Sequence, residues 1–171
     1  MIELTDYIRD VPDFPKPGIL FRDITPLLGS PEAFSEVIDR LADRYQSQKV
    51  DAIVAVESRG FIFGAPLAIR LGASFVPVRK PGKLPYETIR HSYDLEYGSD
   101  TLEMHSDALK AGQRVVIVDD LLATGGTIEA CLKLLSNFDV EIVECAFCIN
   151  LAFLQGARRL KPHPIFSLLE Y

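Results

Sequence analysis

Two adjacent carboxylates precede a short glycine-rich loop in the stretch VVIVDDLLATGGT, residues 115–127. Asp119 and Asp120 follow a run of apolar residues, and Gly125 and Gly126 allow the loop after them to turn tightly. The backbone N–H groups of such a loop, together with the N-terminus of a following helix, bind phosphate groups. The lysine of a Walker A motif is absent, so the sequence disfavours hydrolysis of a nucleoside triphosphate. We therefore expect a phosphate site formed by Ala123, Thr124, Gly125, Gly126 and Thr127.

The two carboxylates restrict the kind of ligand further. Because like charges repel, Asp119 and Asp120 should face hydroxyl groups, a metal ion or a developing cation rather than the phosphate. A sugar phosphate meets this requirement, since it carries ribose hydroxyls and an anomeric carbon beside its phosphate. Transfer of a ribosyl group passes through an oxocarbenium-like state, which adjacent carboxylates stabilise. The stretch thus favours ribosyl chemistry on a phosphorylated sugar.

Apolar runs of strand length predict the sheet that positions this site. They occur at residues 51–56, 74–78, 114–118 and 140–149, with a short edge strand expected near Ile165. Continuous apolar runs are typical of strands that are covered on both faces, as in parallel sheets. The carboxyl ends of parallel strands, and the loops that follow them, lie at the same edge of the sheet, where ligands bind. We expect Asp119 and Asp120 at that edge.

Helical patterns separate the predicted strands. One helix begins after a Ser30 cap with Pro31 at its first position, and a second covers residues 63–71 and ends at Gly72. A third begins near Thr127, directly after the glycine-rich loop. This alternation predicts an α/β fold: a single domain over residues 1–171 with a mostly parallel central sheet flanked by helices.

Two segments interrupt the alternation. Residues 1–30 include a proline-rich stretch, and residues 79–104 are polar with little periodicity. A loop beyond about 15 residues is uncommon in a compact domain unless it serves a site. We therefore expect a long flexible lid, or a hairpin flap, over residues 79–104, with Lys80 and Lys83 among its polar side chains.

Composition limits the possible partners and location. The formal net charge of −6 and the pI of about 5.1 provide no global attraction for nucleic acid or for an acidic membrane. No apolar stretch approaches the roughly 18 residues of a membrane span. The sequence predicts a soluble, cytoplasmic protein that binds neither nucleic acid nor membranes. The three cysteines are expected to be free thiols.

The stretch at residues 115–127 resembles the phosphoribosyl-diphosphate signature of type I phosphoribosyltransferases. The segments DFPKPGILFRDITPLL, ESRGFIFGAPLA, RKPGKLPYET, SYDLEYGSDTLEMH and FSLLEY extend this resemblance, in the same order, to the adenine phosphoribosyltransferase family over nearly the whole chain. The resemblance implies a purine-salvage reaction in which adenine and 5-phosphoribosyl 1-diphosphate give AMP and diphosphate. It also implies Mg2+ carried mainly by the diphosphate substrate, with no metal site built from protein ligands alone, and a homodimer.

The same resemblance implies how the base is bound. Phe21 would stack on the purine, while main-chain groups of the neighbouring Leu20 and Arg22 would recognise its amino edge. Leu151 would cover the opposite face of the base. Residues 1–30 would then form a base-binding segment. A buried site that pairs with an amine discriminates against a carbonyl in its place, because mismatched donors remain unpaired.

Further roles follow from the family for the diphosphate and for the lid. Arg59 offers bidentate donors to the leaving diphosphate, Lys80 and Lys83 would fold over it, and Tyr97 would close the site. Glu96 would move a proton near the imidazole ring of the purine. The resemblance thus implies four catalytic residues, namely Glu96, Arg59, Asp119 and Asp120, and a diphosphate loop composed of Glu57, Ser58, Arg59 and Gly60.

Two alternatives remain open on the sequence. The enzyme could use hypoxanthine, guanine or xanthine instead of adenine, or the chain could be a regulator that senses the sugar diphosphate without catalysis. One residue departs from the family pattern, because Asn150 stands where an acidic residue is common. An amide contributes no charge, so we expect no direct catalytic part for that position.

Overall fold

In the computed structural model, residues 2–94 and 99–171 are described, and they form nine β-strands, four α-helices and three short 3-10 helices. The strands are β1 (Arg9–Pro12), β2 (Leu20–Asp23), β3 (Ala52–Val56), β4 (Ser74–Val78), β5 (Thr88–Asp94), β6 (Ser99–His105), β7 (Arg114–Leu122), β8 (Glu141–Asn150) and β9 (Ile165–Glu170). The α-helices are α1 (Thr25–Gly29), α2 (Pro31–Tyr45), α3 (Gly60–Leu71) and α4 (Gly126–Leu135), and the 3-10 helices are Leu4–Tyr7, Ala152–Leu154 and Gly156–Leu160.

A five-stranded sheet in the order β4-β3-β7-β8-β9 forms the centre of the fold, and all of its strand pairs are parallel. Side chains alternate between its two faces. Val54 and Ile117 point into the core that α4 covers, whereas Ile53 and Val116 point into the core that α2 and α3 cover. The predicted α/β fold with a mostly parallel sheet flanked by helices is confirmed.

The strand that carries the two carboxylates is longer than its sequence pattern predicts. The apolar run ends at Val118, but β7 continues to Leu122, which pairs with Asn150 of β8. The predicted end at Val118 was wrong because pairing with β8 continues the strand beyond its apolar residues. Asp119 and Asp120 therefore belong to the strand itself, which holds their backbone more rigidly than a loop would.

Local signals in the sequence account for the helix ends. The Ser30 hydroxyl oxygen accepts a hydrogen bond from the backbone N–H of Ala33 at 3.2 Å, as expected for a cap of α2. Gly72, with φ of 65°, ends α3, and Gly125, with φ of 84°, precedes α4. Such left-handed conformations favour glycine because a Cβ would be strained there. The three predicted helices are confirmed.

The segment over residues 79–104 contains a hairpin, in which β5 and β6 pair antiparallel from Thr88↔His105 to Asp94↔Ser99. We refer to residues 79–104 as the flap. Its base belongs to the core, because Leu102 and Met104 are buried, and Arg79 and Glu103 exchange two backbone hydrogen bonds at 2.9 and 2.7 Å. The connection at 95–98, which includes Glu96 and Tyr97, lies outside the described residues.

The N-terminal segment forms a second antiparallel hairpin, β1 with β2, followed by α1. Its proline-rich sequence predicts neither strand. The rings of Phe14 and Phe21 pack edge to face, with 5.1 Å between ring centroids. Over residues 2–94 and 99–171, none of the helices has the length and apolar character needed to cross a membrane.

Candidate active site

The two aspartates lie next to each other at the carboxyl end of β7. Asp120 is buried and Asp119 is partly buried, and the backbone N–H of Asp120 donates to Oδ1 of Asp119 at 2.9 Å. Burial, followed by the negative charge of Asp120, raises the pKa of Asp119 well above its usual range. Burial also raises the pKa of Asp120, although the charge of Arg59 opposes this. Positive charge that arrives beside the pair therefore favours its ionised form.

The turn before α3 is held against these acids. Arg59 Nε lies 2.9 Å from Asp120 Oδ2, and its guanidinium carbon lies 5.7 Å from the centroid of the Phe21 ring. A Cβ on Gly60 would lie 2.9 Å from the carbonyl oxygen of Val118, so this close approach requires glycine. The structure thus brings Arg59, Asp120 and Phe21 together, although they are far apart in sequence.

The glycine-rich loop follows the acids and lines a concave surface together with Asp119. This surface is formed by Asp119, Leu121, Leu122, Ala123, Thr124, Gly125, Gly126, Thr127 and Ile128. The turn of the loop rests on the 3-10 helix Gly156–Leu160. A Cβ on Gly125 would lie 2.7 Å from the carbonyl oxygen of Gly156, and a Cβ on Gly156 would lie 2.2 Å from that of Ala123. The two backbones meet only because both positions are glycine, and their contact shapes the predicted phosphate site.

A cavity of about 530 Å³ connects the N-terminal segment to this loop. Its lining includes the side chains of Leu20 and Arg22 from β2, Thr124 from the loop and Leu151 after β8. Its size is within the usual range for small-molecule sites, about 300–1,000 Å³. Phe21 points to the other face of β2, because successive side chains of a strand alternate. The predicted stacking residue Phe21 and its neighbours Leu20 and Arg22, whose main-chain groups were predicted to recognise the base, therefore present their side chains on two faces of β2.

Glu57, directly after β3, forms hydrogen bonds to the base of the flap. Its carboxylate accepts hydrogen bonds from Arg79 Nε at 3.1 Å and from the backbone N–H of Lys80 at 3.0 Å. Burial opposes ionisation of Glu57, but these hydrogen bonds keep its pKa below the usual value. Ser58 and Lys83 are exposed, and the carbonyl oxygen of Lys83 accepts a hydrogen bond from Arg79 at 3.2 Å. The two predicted lysines thus lie on a turn that carboxylates hold in place.

A polar connection joins this turn to the glycine-rich loop. Lys80 forms an ion pair with Asp100 of β6. The hydroxyl of Tyr93 lies 3.4 Å from Asp100 Oδ2 and 3.4 Å from the Thr127 hydroxyl. The side chain of Lys80 lowers the pKa of Asp100, chiefly through its hydrogen bond. The flap therefore contacts the predicted phosphate site through Tyr93. This contact does not involve Glu96 or Tyr97.

Comparison with known proteins identifies the family. A model of the phosphoribosyl transferase domain matches residues 24–167. The chain is 58% identical over 170 residues to the adenine phosphoribosyltransferase of Rhodopirellula baltica, an alignment that covers 99% of this chain and 82% of that protein. The chain belongs to the adenine phosphoribosyltransferase family. The resemblance inferred from the sequence motifs is thereby confirmed.

Solved structures of adenine phosphoribosyltransferases have the same fold as this chain. The enzyme of Thermoanaerobacter pseudethanolicus is 54% identical with a TM-score of 0.94, and the alignment covers 98% of each chain. The Saccharomyces cerevisiae enzyme, complexed with D-2,5-dideoxy-2,5-imino-altritol 1,6-bisphosphate and adenine, is 43% identical with a TM-score of 0.91 and coverage of 97% and 96%. The similarity therefore extends over the sheet, both hairpins and the glycine-rich loop.

Sequence reasoning assigned no role to four residues at this site. Tyr93 and Asp100 of the flap lie within the segment SYDLEYGSDTLEMH, whereas Gly156 and Arg159 of the last 3-10 helix lie outside the quoted segments. Single residues of these types have no diagnostic spacing, so only tertiary contacts reveal the four. Across residues 2–94 and 99–171, no group of three or more His, Cys, Asp or Glu side chains is arranged to hold a metal ion.

Proposed function

We propose that this chain transfers the 5-phosphoribosyl group of 5-phosphoribosyl 1-diphosphate to adenine, which gives AMP and diphosphate. The observation that carries the proposal is the continuity of the acid pair, partly buried Asp119 and buried Asp120, with the glycine-rich loop that begins at Ala123. One ligand that carries a phosphate and a ribose matches both features. The adenine in the yeast relative's complex and the names of the relatives support the choice of base.

The loop provides the 5-phosphate site in this proposal. Backbone N–H groups around Thr124 to Thr127 and the N-terminus of α4 donate to the phosphate oxygens, because they carry partial positive charge. The hydroxyls of Thr124 and Thr127 add further donors. Ala123 contributes backbone only, and its carbonyl oxygen is in contact with Gly156.

The acid pair acts at the ribose. Asp119 and Asp120 accept hydrogen bonds from the ribose hydroxyls and stabilise positive charge as the bond between the anomeric carbon and the diphosphate oxygen breaks. Because burial raises the pKa of both aspartates, a positive charge beside the pair is needed to favour their ionised form. Arg59 and the neighbouring backbone of residues 57–60 bind the leaving diphosphate, and the charge of Lys80 and Lys83 attracts it from the flap.

The base approaches from the N-terminal side. Phe21 lies beside Arg59, which in turn contacts Asp120, and this proximity to the acid pair supports its role as the ring on which the purine stacks. Leu20, Arg22 and Leu151 line the cavity that reaches Thr124 of the loop. A ring nitrogen of adenine attacks the anomeric carbon, and its proton passes to Glu96 in this scheme. Tyr97 and the flap exclude water, which would otherwise compete as nucleophile.

Mg2+ accompanies the diphosphate substrate in this proposal. The carboxylate oxygens of Asp119 and Asp120 have the donor chemistry that Mg2+ prefers, and the cluster is too small for a cage of protein ligands. When bound, the ion neutralises charge on the leaving diphosphate.

We also propose that residues 1–171 form one phosphoribosyltransferase domain, with a base-binding segment at 1–30 and a flap at 79–104, in a cytoplasmic homodimer. Sedimentation velocity would measure the oligomeric state.

The test is a panel of bases. The purified chain is incubated with 5-phosphoribosyl 1-diphosphate and adenine, hypoxanthine, guanine or xanthine, with and without Mg2+, and nucleotide products are separated by chromatography. We expect AMP from adenine, dependent on Mg2+, and little product from the other bases. Preferential use of another purine would refute the base assignment. Binding of the sugar diphosphate without transfer to any base would support the sensor instead.

A further inference from the structure

The charges around the glycine-rich loop do not favour a phosphate dianion. Asp119 and Asp120 precede the loop, and Glu129 lies in the first turn of the helix after it. The loop itself, residues 121–127, contains only apolar side chains, glycines and threonines. Arg59 pairs with Asp120, so hydrogen bonds from N–H groups and the partial charge of a helix N-terminus must overcome the remaining charges of Asp119 and Glu129. A full positive charge beside the loop would offset this repulsion.

Arg159 supplies a positive charge at that place. Its Nη1 lies 3.2 Å from the position that a Cβ on Gly126 would occupy, so the guanidinium lies against the first residue of α4. The ring of Tyr93 approaches the same position at 3.8 Å. Gly126 therefore leaves room for a guanidinium group immediately beside the N-terminus of the helix.

The position of Arg159 is set by backbone packing. It belongs to the 3-10 helix Gly156–Leu160, whose first residue rests on Ala123 and Gly125 and whose last residue, Leu160, is buried in the core. Both ends of this short helix are thus fixed. The backbone of Arg159, which lies between them, therefore has a defined position relative to the loop. Its neighbour Arg158 is also exposed.

The guanidinium keeps donors for a ligand. Arg159 Nη1 lies 3.7 Å from a carboxylate oxygen of Glu129, which is an ion-pair distance longer than a hydrogen bond, and its side chain is 53% exposed. A guanidinium has five N–H donors in a planar fork that matches two phosphate oxygens. Glu129 therefore orients the group without using up its hydrogen-bonding capacity.

We propose that Arg159 is a further binding residue for the 5-phosphate of the sugar diphosphate and of AMP, which rests on the function proposed above. Its contribution is uniform, because the 5-phosphate carries the same charge in substrate, transition state and product. Loss of Arg159 should therefore raise the KM for the sugar diphosphate and the Kd for AMP and leave kcat largely unchanged. Partial exposure to solvent limits the effect to roughly tenfold and makes it smaller at high salt.

The experiment compares Arg159→Gln and Arg159→Lys with Arg158→Gln, a matched control that removes the same charge one residue away. Calorimetric titration gives the Kd for AMP, and titration with diphosphate alone probes a different part of the site. We expect about tenfold weaker AMP binding in Arg159→Gln, substantial recovery in Arg159→Lys, and values close to the unmodified chain in Arg158→Gln. Binding of diphosphate alone should change little in all three.

Two outcomes would overturn the assignment. One is an Arg159→Gln variant that binds AMP as tightly as the unmodified chain at low salt. The other is an equal loss of AMP and diphosphate binding together with a lower melting temperature, which would indicate a structural role. Failure of the proposed function can be distinguished from failure of the Arg159 assignment, because the unmodified chain itself would then form no AMP from adenine.

Discussion

The contact between Gly156 and the phosphate loop predicts that a methyl group far from the ribose should impair transfer. In Gly156→Ala the new Cβ would lie 2.2 Å from the carbonyl oxygen of Ala123 and 3.0 Å from the backbone nitrogen of Gly125. Ordinary contacts of a Cβ begin near 3.4 Å, so the loop must move by about 1 Å. Both neighbours are backbone atoms, which cannot rotate away as a flexible side chain would.

A displacement of this size has a large effect on catalysis. Misplacing a bound substrate by about 1 Å costs on the order of 100-fold in rate, so kcat/KM for the sugar diphosphate should fall by about that factor. Overpacking should lower the free energy of unfolding by about 1–3 kcal/mol. The backbone at Gly156 is not in the left-handed region, so the alanine conformation itself is allowed and the effect arises from the contact alone.

Steady-state kinetics with varied sugar diphosphate, together with urea denaturation, separates the two effects. Gly29→Ala serves as the control, because a Cβ there would have no heavy atom within 4 Å, and it should leave kcat/KM unchanged. The reasoning is refuted if Gly156→Ala has the same kcat/KM as the control. A loss of activity explained entirely by an unfolded fraction in the assay would refute it as well.

Three further changes test the acid pair, the base segment and the core. Asp119→Asn should lower kcat about 100-fold, and it should raise the melting temperature at neutral pH, since burial and the charge of Asp120 raise the pKa of Asp119. This gain should vanish below about pH 4, where the carboxyl is protonated in both states; a gain that persists in acid would contradict it. Phe21→Ala should raise the KM for adenine about tenfold with little change for the sugar diphosphate, whereas equal changes in both would favour a purely structural ring. Glu144 accepts hydrogen bonds from Arg44 at 2.6 and 2.7 Å, so Glu144→Gln should cost about 2 kcal/mol of unfolding free energy at pH 7. Burial opposes ionisation of Glu144, but hydrogen bonds to Arg44 lower its pKa, so the difference should shrink as pH falls below about 4; a difference independent of pH would show that charge plays no part.

Sequence alone determined the elements whose signals are local. Apolar runs located the strands of the parallel sheet, the Ser30 cap located the start of α2, and Gly72 located the end of α3. Such signals depend on residues within a few positions of one another, so they are visible without the fold. The glycine-rich loop after Asp119 is of the same kind, because strand, acids, glycines and threonines are consecutive in the chain.

Packing between distant segments decided the rest. The proline-rich sequence did not predict the β1–β2 hairpin, and alternation within β2 places Phe21 on the face opposite Leu20. The extension of β7 depends on pairing with β8, which an apolar pattern does not reveal. The apolar pattern of one segment does not show which other strand that segment pairs with.

Gly156 and Arg159 show most clearly which features of the site depend on tertiary packing rather than on local sequence. The motif at residues 115–127 predicted a phosphate loop, but nothing in it indicates that a residue some thirty positions later supports the turn. That support requires two backbones to approach within van der Waals contact, which occurs only after the sheet and α4 have packed. Sequence thus determined the chemical groups of this protein, whereas tertiary structure decided which backbone holds them and which charges surround them, because both depend on distances through space rather than along the chain.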